Sequence, residues 1–292
     1  MAITSSEYHF RMSDGFDLFG VRWGAAREAE RAVVCVHGLP GEAAQFEMLA
    51  RSLALNGTEV YAIDLRGFGN SVESGLPRGD TRGTKRQLRD VDEVLAQVRK
   101  NHPSRHVFIL GHSIGCDYSL WQSANHPESV DGLVLLAPGV RLTSRQSAGD
   151  MMVILLSLLF APTKTYDLQK AFSHGVRSSK ELRILLENPL ITTRLTVRYL
   201  GGLRPLITKV LENASKVERQ ALIVQGDADV WVRPGGAKEL VEALRSKDKT
   251  MKMVPGAGHF FFGALLPGTP PEEGAGKQDT LMTIVNGWLN GR

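Results

Sequence analysis

The stretch VFILGHSIGCDYSL, Val107 to Leu120, decides how this chain is read. An apolar run ends at Gly111, a serine follows between two glycines, and a helical pattern begins. Gly111-His112-Ser113-Ile114-Gly115 fits G-x-S-x-G, which in a strand–turn–helix context describes a tight turn that lifts a serine hydroxyl above a sheet. Glycines serve there because side chains would collide with neighbouring elements, and the turn sets Ser113 near the positive end of the helix. The competing reading is a plain strand-to-helix turn with serine as its cap, so the rest of the chain must supply what a nucleophile requires.

A serine hydroxyl needs a base. Of the eight histidines, His259 in PGAGHFFF lies downstream of Ser113 and just after the last predicted strand. His37 precedes the serine, His112 adjoins it and is expected to point away, and His126 marks a helix end. An orienting carboxylate is also needed. The segment LIVQGDADVWV offers Asp227 and Asp229 just after a strand; Asp229 is the candidate acid and Asp227 the turn former. Asp150 competes but lies too far beyond a strand end. The order serine, acid, histidine is one that known hydrolytic triads adopt. An oxyanion needs N–H donors: Ile114, the residue after the nucleophile, supplies one, and Leu39 in HGLPG supplies the second.

DLRGFGNS, Asp64 to Ser71, is read as structural, with Asp64 and Arg66 tying the loop together. It lacks the third glycine and the directly following helix of a dinucleotide loop.

The 292 residues suit one large α/β domain or a core with an insertion. A net charge of +4 without a basic block argues against nucleic acid as a partner. Cys35 and Cys116 lack any metal spacing and read as buried thiols in a reducing compartment. The N-terminus shows no secretory pattern, which makes the expected location cytoplasmic. No metal or cofactor is implied.

Two strands, Tyr8–Ser13 and Phe16–Trp23, flank Asp14-Gly15, a hairpin signal. Strands are then expected at Arg31–Val36, Glu59–Asp64, Val107–Leu110, Gly132–Ala137, Ala221–Gln225 and Lys249–Val254. Helices are expected at Glu42–Asn56, Lys85–Asn101, Ser113–Ala124, Gly235–Arg245 and Gln278–Leu289. Such alternation implies an α/β fold with a mostly parallel central sheet covered by helices on both faces. Residues 1–138 and 219–292 form the two parts of the core. Residues 139–218 break the alternation and read as an inserted helical cap without strands. Residues 263–277, rich in Gly and Pro, read as a surface loop.

The set CVHGLPG, AIDLRGFGNS, GHSIG, QGDADVWV and GAGHF resembles the α/β-hydrolase fold, and GAKELVEALRSKDKTMKMVPGAGH resembles its monoacylglycerol lipase and serine aminopeptidase-like branch. The resemblance implies esterase or lipase chemistry with Ser113, Asp229 and His259 as triad. A serine nucleophile separates the chain from the epoxide hydrolase and haloalkane dehalogenase branches. Two departures stand out: Cys116 where many of these lipases carry a further glycine, and HGLPG in place of HGxGEH.

The expected activity is hydrolysis of a carboxylic ester with an apolar acyl group through an acyl-enzyme, on a small-molecule or lipid-like substrate. An aminopeptidase or amidase with the same triad is the alternative, and a non-catalytic binding module the third reading. The cap contains MMVILLSLLFA, Met151 to Ala161, about 11 residues and too short to span a bilayer, which takes roughly 20. It reads either as a buried helix or as a lid that lines an acyl pocket or touches a membrane surface. Leu155, Leu158 and Leu159 are the candidate acyl contacts.

Overall fold

In the computed structural model, which describes residues 3–143, 160–170, 182–183, 186–260 and 271–292, the strands form mostly around apolar runs, the first and the last being the more exposed. They are β1 Ser5–Arg11, β2 Asp17–Trp23, β3 Arg31–Val36, β4 Thr58–Ile63, β5 His106–His112, β6 Gly132–Leu136, β9 Gln220–Gly226 and β10 Lys249–Val254, with β7 and β8 in the insertion. The eight-stranded sheet has the order β1-β2-β4-β3-β5-β6-β9-β10. The β1–β2 and β2–β4 pairs are antiparallel and all others parallel.

Strands β3, β4 and β6 are buried along their whole length, Arg31, Thr58 and Glu59 at the starts of β3 and β4 included, as strands of a doubly covered sheet must be. Side chains of β3, β5, β6 and β9 alternate between two cores. Val34, Val36, Ile109, Leu133 and Ile223 face one; Val33, Cys35, Leu110, Val134 and Leu222 face the other. Helices α2 (Thr84–Asn101) and α3 (Ile114–Asn125) close the first core, with Val91, Val94, Leu95 and Val98 forming the apolar stripe of α2. The second is closed by α1 (Glu47–Leu55), which follows a 3-10 turn at Ala43–Phe46 capped by Glu42, and by the C-terminal helix. No helix among the described residues is long and apolar enough to cross a membrane.

The insertion differs from the helix-only expectation. It contains a two-stranded antiparallel ribbon, β7 Thr165–Asp167 with β8 Arg194–Thr196, followed by α4 (Val197–Thr208) and α5 (Val210–Ala214). Strands of three residues are too short to show a period of two, and pairing across a long loop leaves no local signal. Its C-terminal part is tied to the core. Thr196 N donates to Gly79 O at 3.1 Å and Thr196 Oγ1 to Asp80 Oδ1 at 2.6 Å. Arg198 Nη2 meets Asp80 Oδ2 at 2.5 Å, and Thr84 Oγ1 donates to Gly202 O at 2.7 Å.

A second correction concerns the Gly- and Pro-rich stretch. Helix α6 spans Gly235–Ala243, and the last helix, α7, already begins at Pro271 and runs to Asn290. Proline suits a first helical position, where its missing N–H costs no hydrogen bond. Met151–Leu159, and with them Leu155, Leu158 and Leu159, lie outside the described residues, as does Asp150. Phe160, near the end of that apolar run, is 83% exposed.

Candidate active site

Because β3, β5, β6, β9 and β10 are parallel, their C-terminal ends share one edge of the sheet, the usual place for a site in an open α/β sheet. His37-Gly38-Leu39 follows β3, Ser113 follows β5, Asp229 follows β9 and His259 follows β10.

Ser113 joins β5 to α3 with φ 53° and ψ −120°, a left-handed backbone unusual for a residue with a side chain. Its N–H is fixed to Leu136 O at 2.9 Å. The flanking glycines are steric necessities. A Cβ on Gly111 would overlap Gly115 O, and one on Gly115 would overlap Val36 O. The amide of Ile114 opens α3, where first-turn N–H groups have no intrahelical acceptor. Gly139, after β6, faces it: a Cβ there would stand 3.8 Å from Ile114 N. Leu39, the other candidate oxyanion donor, sits between Gly38 and Pro40 in a cis Leu39–Pro40 peptide, its side chain packed on the first core. Gly38 approaches so near that a Cβ on it would lie 2.8 Å from the Ser113 Cβ.

His259 is 1% exposed, and its Nδ1 lies 2.8 Å from Asp229 Oδ2. Asp229 Oδ1 accepts from Trp231 N at 2.8 Å and Val232 N at 3.0 Å, and Oδ2 accepts from Gln225 Nε2 at 3.0 Å. Burial alone would push this carboxyl up. The His259 charge and hydrogen bond, with the two amides, outweigh it and hold Asp229 below the usual carboxylate value. Asp227 Oδ1 accepts from Gly256 N at 2.6 Å and so shapes the turn, as its reading required.

Three features escaped the sequence reading. His112, expected to point away from the Ser113 hydroxyl, packs its ring against His259 with centroids 4.8 Å apart. Its Nε2–H donates to His259 O at 3.3 Å while Nδ1 accepts from Gln45 Nε2 at 3.4 Å. That pattern suits the neutral ring, and burial lowers its pKa well below the ordinary value. Trp231 stacks on His259, and Gln225 steadies Asp229. The one sequence signal was polar residues, Gln225 and His112, inside otherwise apolar strands.

His37 is also buried. Its Nε2 accepts from Leu65 N at 3.0 Å, its Nδ1–H donates to Gly38 O at 2.8 Å, and burial brings its pKa down to about 4. Asp64 ties its loop as expected, accepting from Ala43 N and Asn70 N at 2.6 Å each; burial pushes it up to about 7. Arg66 pairs with Asp90 at 2.8 Å. Cys116 Sγ lies 3.2 Å from Gly111 O and 3.4 Å from Leu136 O, so its thiol fills the space behind the elbow. Among the described residues no group of three or more His, Cys, Asp or Glu stands where it could hold a metal ion.

Comparison with known proteins agrees with this architecture. The Hydrolase_4 family, described as serine aminopeptidase, S33, matches residues 27–263. Monoglyceride lipase of Mus musculus is 28% identical over 287 residues, spanning 97% of this chain and 90% of its own. Among solved structures, Paleococcus ferrophilus monoacylglycerol lipase superposes with a TM-score of 0.77 at 21% identity, covering 93% of this chain and 98% of that one. A thermostable carboxyl esterase from Bacillus coagulans reaches 0.82 at 17% identity, covering 99% and 98%. With the family pattern spanning residues 27–263, most of the chain, the protein belongs to the serine aminopeptidase S33 family of α/β-hydrolases.

Proposed function

We propose that the protein hydrolyses carboxylic esters with an apolar acyl group, of the monoacylglycerol type, through Ser113, His259 and Asp229. The observation that carries the reading is the buried 2.8 Å pair between His259 Nδ1 and Asp229 Oδ2, at the same sheet edge as a serine held on a left-handed turn. The pair assigns the imidazole proton to Nδ1 and leaves Nε2 free to take the proton of Ser113. Ser113 Oγ attacks the ester carbonyl, and the Ile114 and Leu39 amides receive the oxyanion. Protonated His259 returns its proton to the leaving alcohol. The same base then activates water, which releases the acid and restores Ser113.

Residues 139–218 act as a cap over this edge. In support, they leave the sheet after β6 and re-enter at the adjacent β9. The relatives named as monoglyceride lipases support a lipid-like ester as substrate. Exposed Phe160 supports contact of the cap with an apolar surface.

The test is a panel of p-nitrophenyl esters from C2 to C16, with monoacylglycerols and aminoacyl amides alongside. Medium or long acyl chains are expected to be preferred, and Ser113→Ala to lower kcat by roughly 10⁴–10⁶-fold. Faster turnover of aminoacyl amides would favour a peptidase. Near-normal ester hydrolysis by Ser113→Ala would overturn the nucleophile.

A further inference from the structure

We propose that Trp231 is a positioning residue for the base: its indole face stacks on the His259 ring and favours the imidazolium form over the neutral one. This rests on the reading of His259 as the base. The two rings are 5.4 Å apart between centroids and only 12° from parallel. Both are buried.

The Trp231 backbone is pinned on both sides, and its ring is packed. Trp231 N donates to Asp229 Oδ1 at 2.8 Å, and Trp231 O accepts from Thr143 N at 3.1 Å and Thr143 Oγ1 at 3.0 Å. The next residue, Val232, bridges to Leu142. Phe260 stands nearly perpendicular to both rings, with centroids 5.2 Å and planes 87° from Trp231 and 5.1 Å and 89° from His259. Trp231 therefore belongs to the same short segment that fixes the Asp229 carboxylate, and one backbone orients both partners of His259.

An aromatic face carries negative potential, and a cation within about 6 Å of its centroid is attracted, most strongly by tryptophan. Neutral imidazole gains far less. The stack thus stabilises the ring while it carries the proton taken from serine, the state in which the oxyanion forms. Among the described residues, the titratable groups at or behind the His259 ring come from three elements. Asp229 stands at Nδ1 from the β9 loop, and His112 lies against the ring from β5. His37, from the end of β3, acts on His112 from behind. Of these only Asp229 carries charge at neutral pH, so removing the indole isolates its contribution from that of the carboxylate.

The experiment is an NMR titration of the His259 imidazole in wild type, Trp231→Phe and Trp231→Leu, with the pH profile of kcat/KM on p-nitrophenyl butyrate measured on the same samples. The His259 midpoint is expected to fall by about 0.5–1.5 pH units in Trp231→Leu and about half as much in Trp231→Phe. The acid limb of kcat/KM should move to lower pH with it. If the leucine variant does not fold, the phenylalanine variant alone decides. A His259 midpoint that stays or rises in the folded variants overturns the inference. A rate profile that ignores the His259 titration would instead remove His259 as the base, a separate failure, because the NMR midpoint reports the stacked pair whether or not the ring is catalytic.

Discussion

Asp229 divides its two oxygens. Oδ2 meets His259 Nδ1 at 2.8 Å, while Oδ1 takes the amides of Trp231 and Val232 at 2.8 and 3.0 Å. This division predicts the effect of Asp229→Asn. The two backbone N–H groups require an acceptor, so the amide oxygen of asparagine faces them and its NH2 faces His259. Nδ1 must then accept, the ring proton moves to Nε2, and the base is presented to serine in the wrong tautomer. We expect kcat for p-nitrophenyl esters to fall by roughly 10⁴-fold with little change in thermal unfolding. Activity within tenfold of wild type would show that the pair does not set the tautomer.

Ser113, the proposed nucleophile, has an unfavourable backbone, φ 53° and ψ −120°. Such conformations cost about 1–3 kcal/mol in a residue with a side chain, whereas glycine adopts them freely at an entropic cost of about 0.5–1 kcal/mol. Ser113→Gly should therefore be inactive yet more stable by about 1 kcal/mol, raising Tm by roughly 2–4 °C. Calorimetry decides: a Tm below that of wild type would mean that the hydroxyl stabilises the fold more than the turn strains it.

Both thiols should be inert in the folded protein. Cys35 and Cys116 are fully buried, and burial pushes both well above the ordinary thiol value, which suppresses the thiolate that reacts. Ellman's reagent should detect no thiol in native protein and both cysteines in guanidinium. Rapid modification without unfolding, with loss of esterase activity, would contradict this packing of Cys116 behind the elbow.

His37 predicts an acid-side loss of stability. Its folded pKa of about 4 lies below the ordinary 6.5. As pH falls through 6.5 the unfolded chain gains a proton that the folded one does not, so stability drops until about pH 4 and no further. Each unit of difference corresponds to about 1.4 kcal/mol, which makes the His37 contribution about 2–3 kcal/mol at pH 4.5. His37→Asn, which still offers an acceptor to Leu65 N–H, should lose that much less stability between pH 7.5 and 4.5 by urea unfolding. Asp64 titrates in both proteins and cancels in the difference, while His112, which His37 holds lower, adds to the difference in the same direction. Equal pH dependence in the two would refute the assignment.

Local chemistry made most of this molecule legible. The serine between Gly111 and Gly115, the acid after β9 and the histidine after β10 each follow a strand, and parallel strands bring such positions to one edge without further information. The alternation of Val33 and Cys35 with Val34 and Val36 likewise predicts two cores. What stayed hidden depends on approach across the sheet. The neighbour of His112 in sequence says nothing of its surroundings, which Gln45 and His259 set. The stacking of Trp231 needs the turn of Asp229 to be in place first. The β7–β8 ribbon is too short to announce itself, and the glycines before α7 masked a helix that its leading proline permits.

The bonds from Thr196, Arg198 and Gly202 to the segment Gly79–Thr84 bear on how this scaffold can be re-engineered. A graft that exchanged residues 139–218 alone would strand Asp80, a buried carboxylate whose partners, Thr196 and Arg198, both belong to the removed piece. The transferable module is discontinuous: the insertion together with the loop leading into α2, moved as one.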